Sequence, residues 1–256
     1  MSTYSRGRHT PSIPYSMFGE NRRRLAEALR ADGRAGEGAV VLLEGGDDVP
    51  LYDSDVTYHK DFRQEANFWW AFGVVEAGSA QGLIDVATGK SVLLMPRLPP
   101  EYAVWMGTIH GTDYYKAKYE VDEVRFKDDI EDALKGLGAK KLLTLVGQNS
   151  DSNLMSAPAK FDGIDKWTVD TQLLHPAICE WWVAAMRGCR VFKSDAELEC
   201  LRYACRVSAE GHMKAMKAVR AGMYEYQLGS VFEGHCEYYG VGPVRWLFLF
   251  VQLLHR

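Results

Sequence analysis

The sequence predicts an α/β fold, a mixed sheet flanked by helices over about the first 175 residues, followed by a unit of two helices. Three observations carry that expectation. Helical and strand-like stretches follow each other in mixed order with no internal repeat, residues 81–95 hold a hairpin pattern, and beyond Lys193 the texture becomes helical. With 256 residues, 47% of them apolar and 25% charged, the chain is long enough and apolar enough to bury a substantial core.

Taken in order, Asn21 to Ala31 sets Leu25, Ala28 and Leu29 on one helical face and its arginines on another, and Asp32-Gly33 stops it. Ala39 to Leu43 is a short β-branched run closed by Glu44-Gly45-Gly46, which predicts a buried strand. Phe68 to Val75 (FWWAFGVV) predicts another strand on the same grounds. Trp69 and Trp70 within it are expected in the core or a surface groove. The hairpin is GLIDV, a turn through Ala87-Thr88-Gly89-Lys90, then SVLLM, with Gly89 free to take the positive φ of a tight turn. Asp128 to Leu137 carries acids in its first turn and Lys135 near its end, matching the helix dipole. Lys141 to Val146 and Lys166 to Val169 complete the expected strands. Asp195 to Val219 and about Tyr224 to Tyr239 form the closing helices, whose apolar faces need a partner layer.

The charge balance of 30 basic against 34 acidic residues lacks the basic stripe that a phosphate backbone requires, so no nucleic-acid partner is expected. The opening residues MSTYSRGRHTPSIPYSMF hold no apolar stretch of signal-peptide kind, which points to the cytoplasm. There Cys179, Cys189, Cys200, Cys205 and Cys236 are expected as reduced thiols. The apolar tail from Trp246 to Leu254 is shorter than the about 20 residues a membrane helix needs, so no membrane partner is expected. It fits an aggregation-prone segment instead.

No HExxH, CxxC, GxSxG or phosphate-binding loop is present. His235-Cys236-Glu237 is a bare HxE without the cysteine pair of the deaminases, and His235 is expected on a helix surface. Glu210 and His212, two apart on a helix, point to different faces. The acids Asp128, Asp129, Glu131 and Asp132 are expected to compensate a helix dipole rather than to hold a cation. Gly240-Val241-Gly242-Pro243 is expected as a loop, since Arg245 stands where a dinucleotide motif needs glycine. Composition and spacing thus expose no catalytic site and no metal site.

A set of ordered blocks is more specific. Phe62 to Val74, Gly82 to Val86 with Thr88 to Ser91, Pro96 to Pro99, Trp105 to Gly107 with Ile109-His110, and Phe161 to Ile164 resemble the Xaa-Pro dipeptidases (prolidases), metallopeptidases related to aminopeptidase P and creatinase. So do Leu174-His175-Pro176, Cys189 to Asp195, Glu197 to Glu199 and Leu201 to Tyr203, and the resemblance spans Tyr15 to Gly240.

The resemblance implies an N-terminal domain of the creatinase/aminopeptidase P type over residues 1–188, with an unusual insertion at 181–188, and the start of an incomplete pita-bread catalytic domain over residues 189–256. It implies hydrolysis of dipeptides with C-terminal proline, with manganese as the cofactor. The family's metal ligands, two aspartates, a histidine and two glutamates, follow the paired helices. Here no Asp occurs after Asp195 and no Glu after Glu237, so no manganese ligand and no catalytic residue is assigned to this chain. By the same resemblance Trp105 is a substrate lid reaching toward a partner subunit, which implies a homodimer or a dimer with a full-length relative. The bland alternative for Trp105 is a buried aromatic. The alternative for the whole chain is a non-catalytic truncated isoform or a dimerisation module.

Overall fold

The computed structural model describes residues 2–47, 62, 64–76, 78–175, 177–178 and 180–242. The tail 243–256, with the apolar run from Trp246, and Cys179 lie outside the described residues. Two compact units are present: Ser2 with Tyr15–Phe192, and Thr3–Pro14 with the chain from Lys193 onward.

In chain order the elements are β1 (Thr3–Tyr4), β2 (Ile13–Pro14), α1 (Ser16–Asp32), β3 (Ala39–Glu44), α2 (Ala66–Phe72), β4 (Gln81–Asp85) and β5 (Ser91–Met95). Then come α3 (Tyr102–Met106), α4 (Thr112–Tyr119), β6 (Glu123–Phe126), α5 (Ile130–Gly136), β7 (Lys141–Gly147), β8 (Thr168–Leu174), α6 (Trp181–Val191), α7 (Asp195–Ala218) and α8 (Glu225–Tyr238).

The first unit is built on a six-stranded mixed sheet in the order β6-β5-β4-β3-β7-β8. β3, β4 and β5 pair antiparallel, while β3 with β7, β5 with β6 and β7 with β8 are parallel. The expected hairpin is present: Asp85 accepts the main-chain N–H of Ala87 and Thr88 across the turn, and Gly89 sits at φ 78°. Helices on both faces bury the central strands along their whole length, which is why β3 reads as a continuous apolar run rather than an alternation. On one face Val40, Leu42, Leu83, Val92, Leu94 and Leu142 pack with Ile130, Ala133 and Leu134 of α5. The alternate residues Val41, Leu43, Ile84 and Leu93 are equally buried, toward α1 and α2.

Two expectations fail here. FWWAF forms α2, not a strand. Glu65 caps it by accepting the N–H groups of Asn67 and Phe68 at 2.8 Å each, and Gly73 at φ 61° ends it with its N–H on the Trp69 carbonyl. Phe68 and Phe72, four apart, then stack and face the sheet together, an arrangement only a helix allows. Trp70 is buried and Trp69 is 39% exposed. Gly82 opposite has no room for a side chain, since a Cβ there would collide with the Phe72 ring.

The second failure concerns α1, whose arginines do not all lie on a face apart from Leu25 and Leu29. Arg22 is buried and donates to the carbonyls of Ala71 (2.8 Å) and Glu120 (2.9 Å), while Asn21 donates to that of Trp70 (3.0 Å). Arg24 donates to the carbonyls of Cys189 (2.7 Å) and Phe192. The last turn of a helix leaves carbonyls without intrahelical donors, and α1 supplies donors to the C-terminal ends of both α2 and α6. Burial draws the pKa of Arg22 down to about 10, against the raising influence of Asp122 and Glu120.

The expected strand at 166–169 is displaced: residues 164–166 form a 3-10 turn, and β8 starts at Thr168 and runs in register with β7 to Leu174. Residues 181–188 open the helix α6, where Trp182, Val183 and Met186 are fully buried.

In the second unit α7 begins with a reciprocal cap, Ser194 Oγ accepting from Glu197 N–H (3.3 Å) and Ser194 N–H donating to the Glu197 carboxylate (2.8 Å). α7 and α8 enclose a small core of Val207, Ala215, Phe232 and Cys236. β1 and β2 pair antiparallel, and the His9 ring lies 3.0 Å from the Tyr238 carbonyl through Nε2.

Candidate functional site: the exposed helix of Trp105

α3 is a single helical turn raised by Pro99 and Pro100, whose carbonyls accept from Tyr102 and Ala103 at 3.0 and 3.1 Å. It stops at Gly107, where φ 82° suits only glycine. Val104 is 77% exposed and Trp105 is 85% exposed. Ile109 and Tyr114 extend the apolar surface, and the His110 ring stacks on Tyr114 with centroids 3.7 Å apart and planes 13° apart. An aromatic held out on a rigid turn can cover an apolar face of another molecule at small entropic cost.

The acids beside β6 are spent on cations. Arg97, stacked 4.0 Å above the Phe126 ring, donates to Asp128 at 2.6 Å and reaches Asp129 at 3.4 Å, which holds the Asp128 carboxyl below its ordinary range. Glu131 accepts from Lys166 at 2.6 Å and lies 3.5 Å from Lys135, and Lys166 holds its carboxyl low in the same way. Among the described residues, no three His, Cys, Asp or Glu side chains come together as a metal-binding group.

The histidines of the second unit require a correction. His235 is buried, 6% exposed, rather than on the helix surface. Its Nε2 lies 3.4 Å from a Glu210 carboxylate oxygen, and its ring packs 4.8 Å from that of Tyr239. Gly211 makes the room, because a Cβ there would meet Phe232 and the His235 ring at 2.9 and 3.4 Å; a glycine in mid-helix was the signal for that burial. His212 instead contacts the Phe232 ring at 4.5 Å. The four described cysteines are unpaired, and burial pushes the thiols of Cys189, Cys200 and Cys236 up, away from the nucleophilic form.

The first unit is thus an α/β domain, a mixed sheet covered by helices on both faces with an exposed aromatic helix at its surface. The chain belongs to the aminopeptidase P N-terminal domain family, whose model matches residues 18–145. It is 46% identical to the Xaa-Pro dipeptidase of Rattus norvegicus over 243 residues, 95% of this chain and 47% of the relative. Identity to that of Homo sapiens is also 46%, over 239 residues, 93% of this chain and 46% of the relative. The chain thus spans about half the length of the curated relatives it matches. Among solved structures, zinc-substituted Escherichia coli aminopeptidase P in complex with product superposes with a TM-score of 0.63 at 22% identity, covering 89% of this chain and 50% of that one. The low-pH form of the same enzyme gives 0.64 at 21% identity, with 90% and 51% covered. These superpositions establish the fold, and the zinc-substituted structure marks that relative as a metalloenzyme.

Proposed function

We propose that this chain is the N-terminal domain and the first catalytic-domain helices of an Xaa-Pro dipeptidase-type protein, a cytoplasmic, manganese-dependent hydrolase of dipeptides with C-terminal proline. In this reading residues 1–188 form the N-terminal domain and residues 189–256 open the catalytic one. The 256 residues alone do not hydrolyse peptides. The observation that carries the reading is the 46% identity sustained along 95% of the chain. The chain acts by association, as a homodimer or with a full-length relative, through the α3 surface, where Trp105 covers the substrate of the partner subunit. The exposure of Trp105 supports that role.

The second reading, a dimerising module without catalytic duty of its own, is favoured by the neutralised acids beside β6. Hydrolysis of glycyl-proline by the purified chain with manganese, checked by mass spectrometry for contaminating full-length enzyme, tests the first reading. The expected rate is zero, while co-purification with a full-length relative is expected. Turnover by the clean chain would overturn the assignment.

A further inference from the structure

The turn that joins β1 to β2 closes on one hydroxyl. Thr10 accepts the main-chain N–H of Arg6 at 3.0 Å through Oγ1 and donates from it to the Gly7 carbonyl at 2.9 Å. Residues 5–9 are exposed and these bonds lie at the surface, so the turn opens locally without disturbing a core. Thr10 precedes Pro11, and no other Ser or Thr in the sequence stands before a proline. Arg6 and Arg8 come just ahead of it, and residues 1–19 hold no Asp or Glu. From this hydroxyl, its proline and its arginines, we propose that Thr10 is a phosphorylation site for a proline-directed Ser/Thr kinase, and that the phosphate unclasps the β1–β2 turn from the end of α8.

In that step Thr10 Oγ1 attacks the γ-phosphorus of ATP. The new O–P bond forms as the bond to the bridging β-phosphate oxygen breaks, ADP leaves, and the hydroxyl proton passes to the kinase's base. The proline suits such a kinase because it has no N–H and keeps the residue before it extended. Once esterified, Oγ1 can no longer donate to the Gly7 carbonyl, and phosphate oxygens face that acceptor instead. The added charge of about −2 draws the guanidinium groups of Arg6 and Arg8. Arg6 now reaches the Gly240 carbonyl at 3.4 Å, a neutral acceptor at long range, which a phosphate oxygen outcompetes. On its other side Thr10 has no slack, since a Cβ on Gly240 would stand 2.7 Å from Thr10 Cγ2. The adjoining His9 ring lies 3.0 Å from the Tyr238 carbonyl through Nε2, so a shift of Thr10 loosens that contact as well. The last turn of α8 then returns a carbonyl to water. None of this depends on the role proposed for the α3 surface.

The test is incubation of the full chain with a purified proline-directed Ser/Thr kinase, ATP and magnesium, read by peptide mass spectrometry. Phosphate on Thr10 is expected. Thr10→Val, which keeps a branched side chain against Gly240, is expected to lose it, and Thr10→Ser to retain it. In the phosphorylated chain the amide hydrogens of residues 6–10 are expected to exchange about tenfold faster than in the parent. Phosphate confined to other hydroxyls would overturn the site. So would an unmodified chain, whether a synthetic peptide of residues 5–14 is phosphorylated by the same kinase, which would show that the fold shields Thr10, or is not, which would show that the motif goes unread. Phosphate on Thr10 with exchange unchanged would overturn the unclasping.

Discussion

Gln172, on the edge strand β8, accepts the main-chain N–H of Trp182 at 3.0 Å and of Val183 at 3.4 Å through one side-chain oxygen. That oxygen satisfies the first turn of α6, so α6 is hydrogen-bonded to the sheet and packed beneath α1. The indole of Trp182 is 0% exposed. Trp182→Ala is therefore expected to cost about 3–5 kcal/mol, read from the denaturant midpoint. Unchanged stability would mean that α6 is dispensable to the first unit.

Burial raises the Glu65 carboxyl above its ordinary 4.5, outweighing the amide hydrogen bonds from Phe68 and Asn67 and the pull of Arg190. The folded chain thus holds this proton more tightly than the unfolded one. The contribution of Glu65 is fully present below pH 4.5 and is lost as pH rises through the raised folded value. Glu65→Gln keeps the capping oxygen and removes the ionisation. Urea unfolding of the variant from about pH 4 to about pH 7 is expected to show a flatter pH dependence than the parent, with equal or greater stability at the upper end. A variant with the same slope as the parent would contradict the assignment.

Trp105 lies on the surface, so Trp105→Ala is expected to leave the melting behaviour within about 0.5 kcal/mol of the parent. Association with a full-length relative, measured by titration calorimetry, is expected to weaken about tenfold or more if the indole is an interface anchor. A large loss of stability would instead assign Trp105 a structural role.

Among the described residues, the second unit's buried cluster is small, Val207, Ala215, Phe232 and Cys236 with Tyr203, Tyr239 and Val241 packed against it, beside the two-faced core of the first. Amide hydrogens of α7 and α8 are expected to exchange faster than those of Ala39–Val146 under native conditions. Equal protection by mass spectrometry would show that the helices gain support beyond that cluster.

Elements were legible where one physical signal governed them. The hairpin at 81–95 followed from Gly89 and its flanking apolar runs, and α7 from its long periodicity. The aromatic run 68–72 carried strand propensity and helical spacing together, and the cap that decided between them came from Glu65, outside the usual set of capping residues. Arg22 and His235 were misplaced for a different reason. Their burial depends on features supplied from afar, the Ala71 and Glu120 carbonyls for one and the room left by Gly211 for the other, and periodicity does not record distant partners. β1 and β2, two residues each, were too short to leave a pattern. Of the site, the sequence shows that Trp105 opens a resembling block, while its exposure emerges only once the α3 turn ends at Gly107.

The β1–β2 ladder closes against the last helices, with Tyr203 donating from its hydroxyl to the Tyr239 carbonyl at 2.7 Å and reaching the His9 carbonyl at 3.3 Å. On a ribosome, residues 3–14 emerge well before their partners Tyr203 and Tyr239 in the second unit. At roughly 5–20 residues per second that wait is on the order of ten to forty seconds. The first unit can complete its sheet in the interval, while the leading strand remains available to chaperones and proteases. Trimming the first fourteen residues to isolate an N-terminal domain would therefore remove a piece of its neighbour.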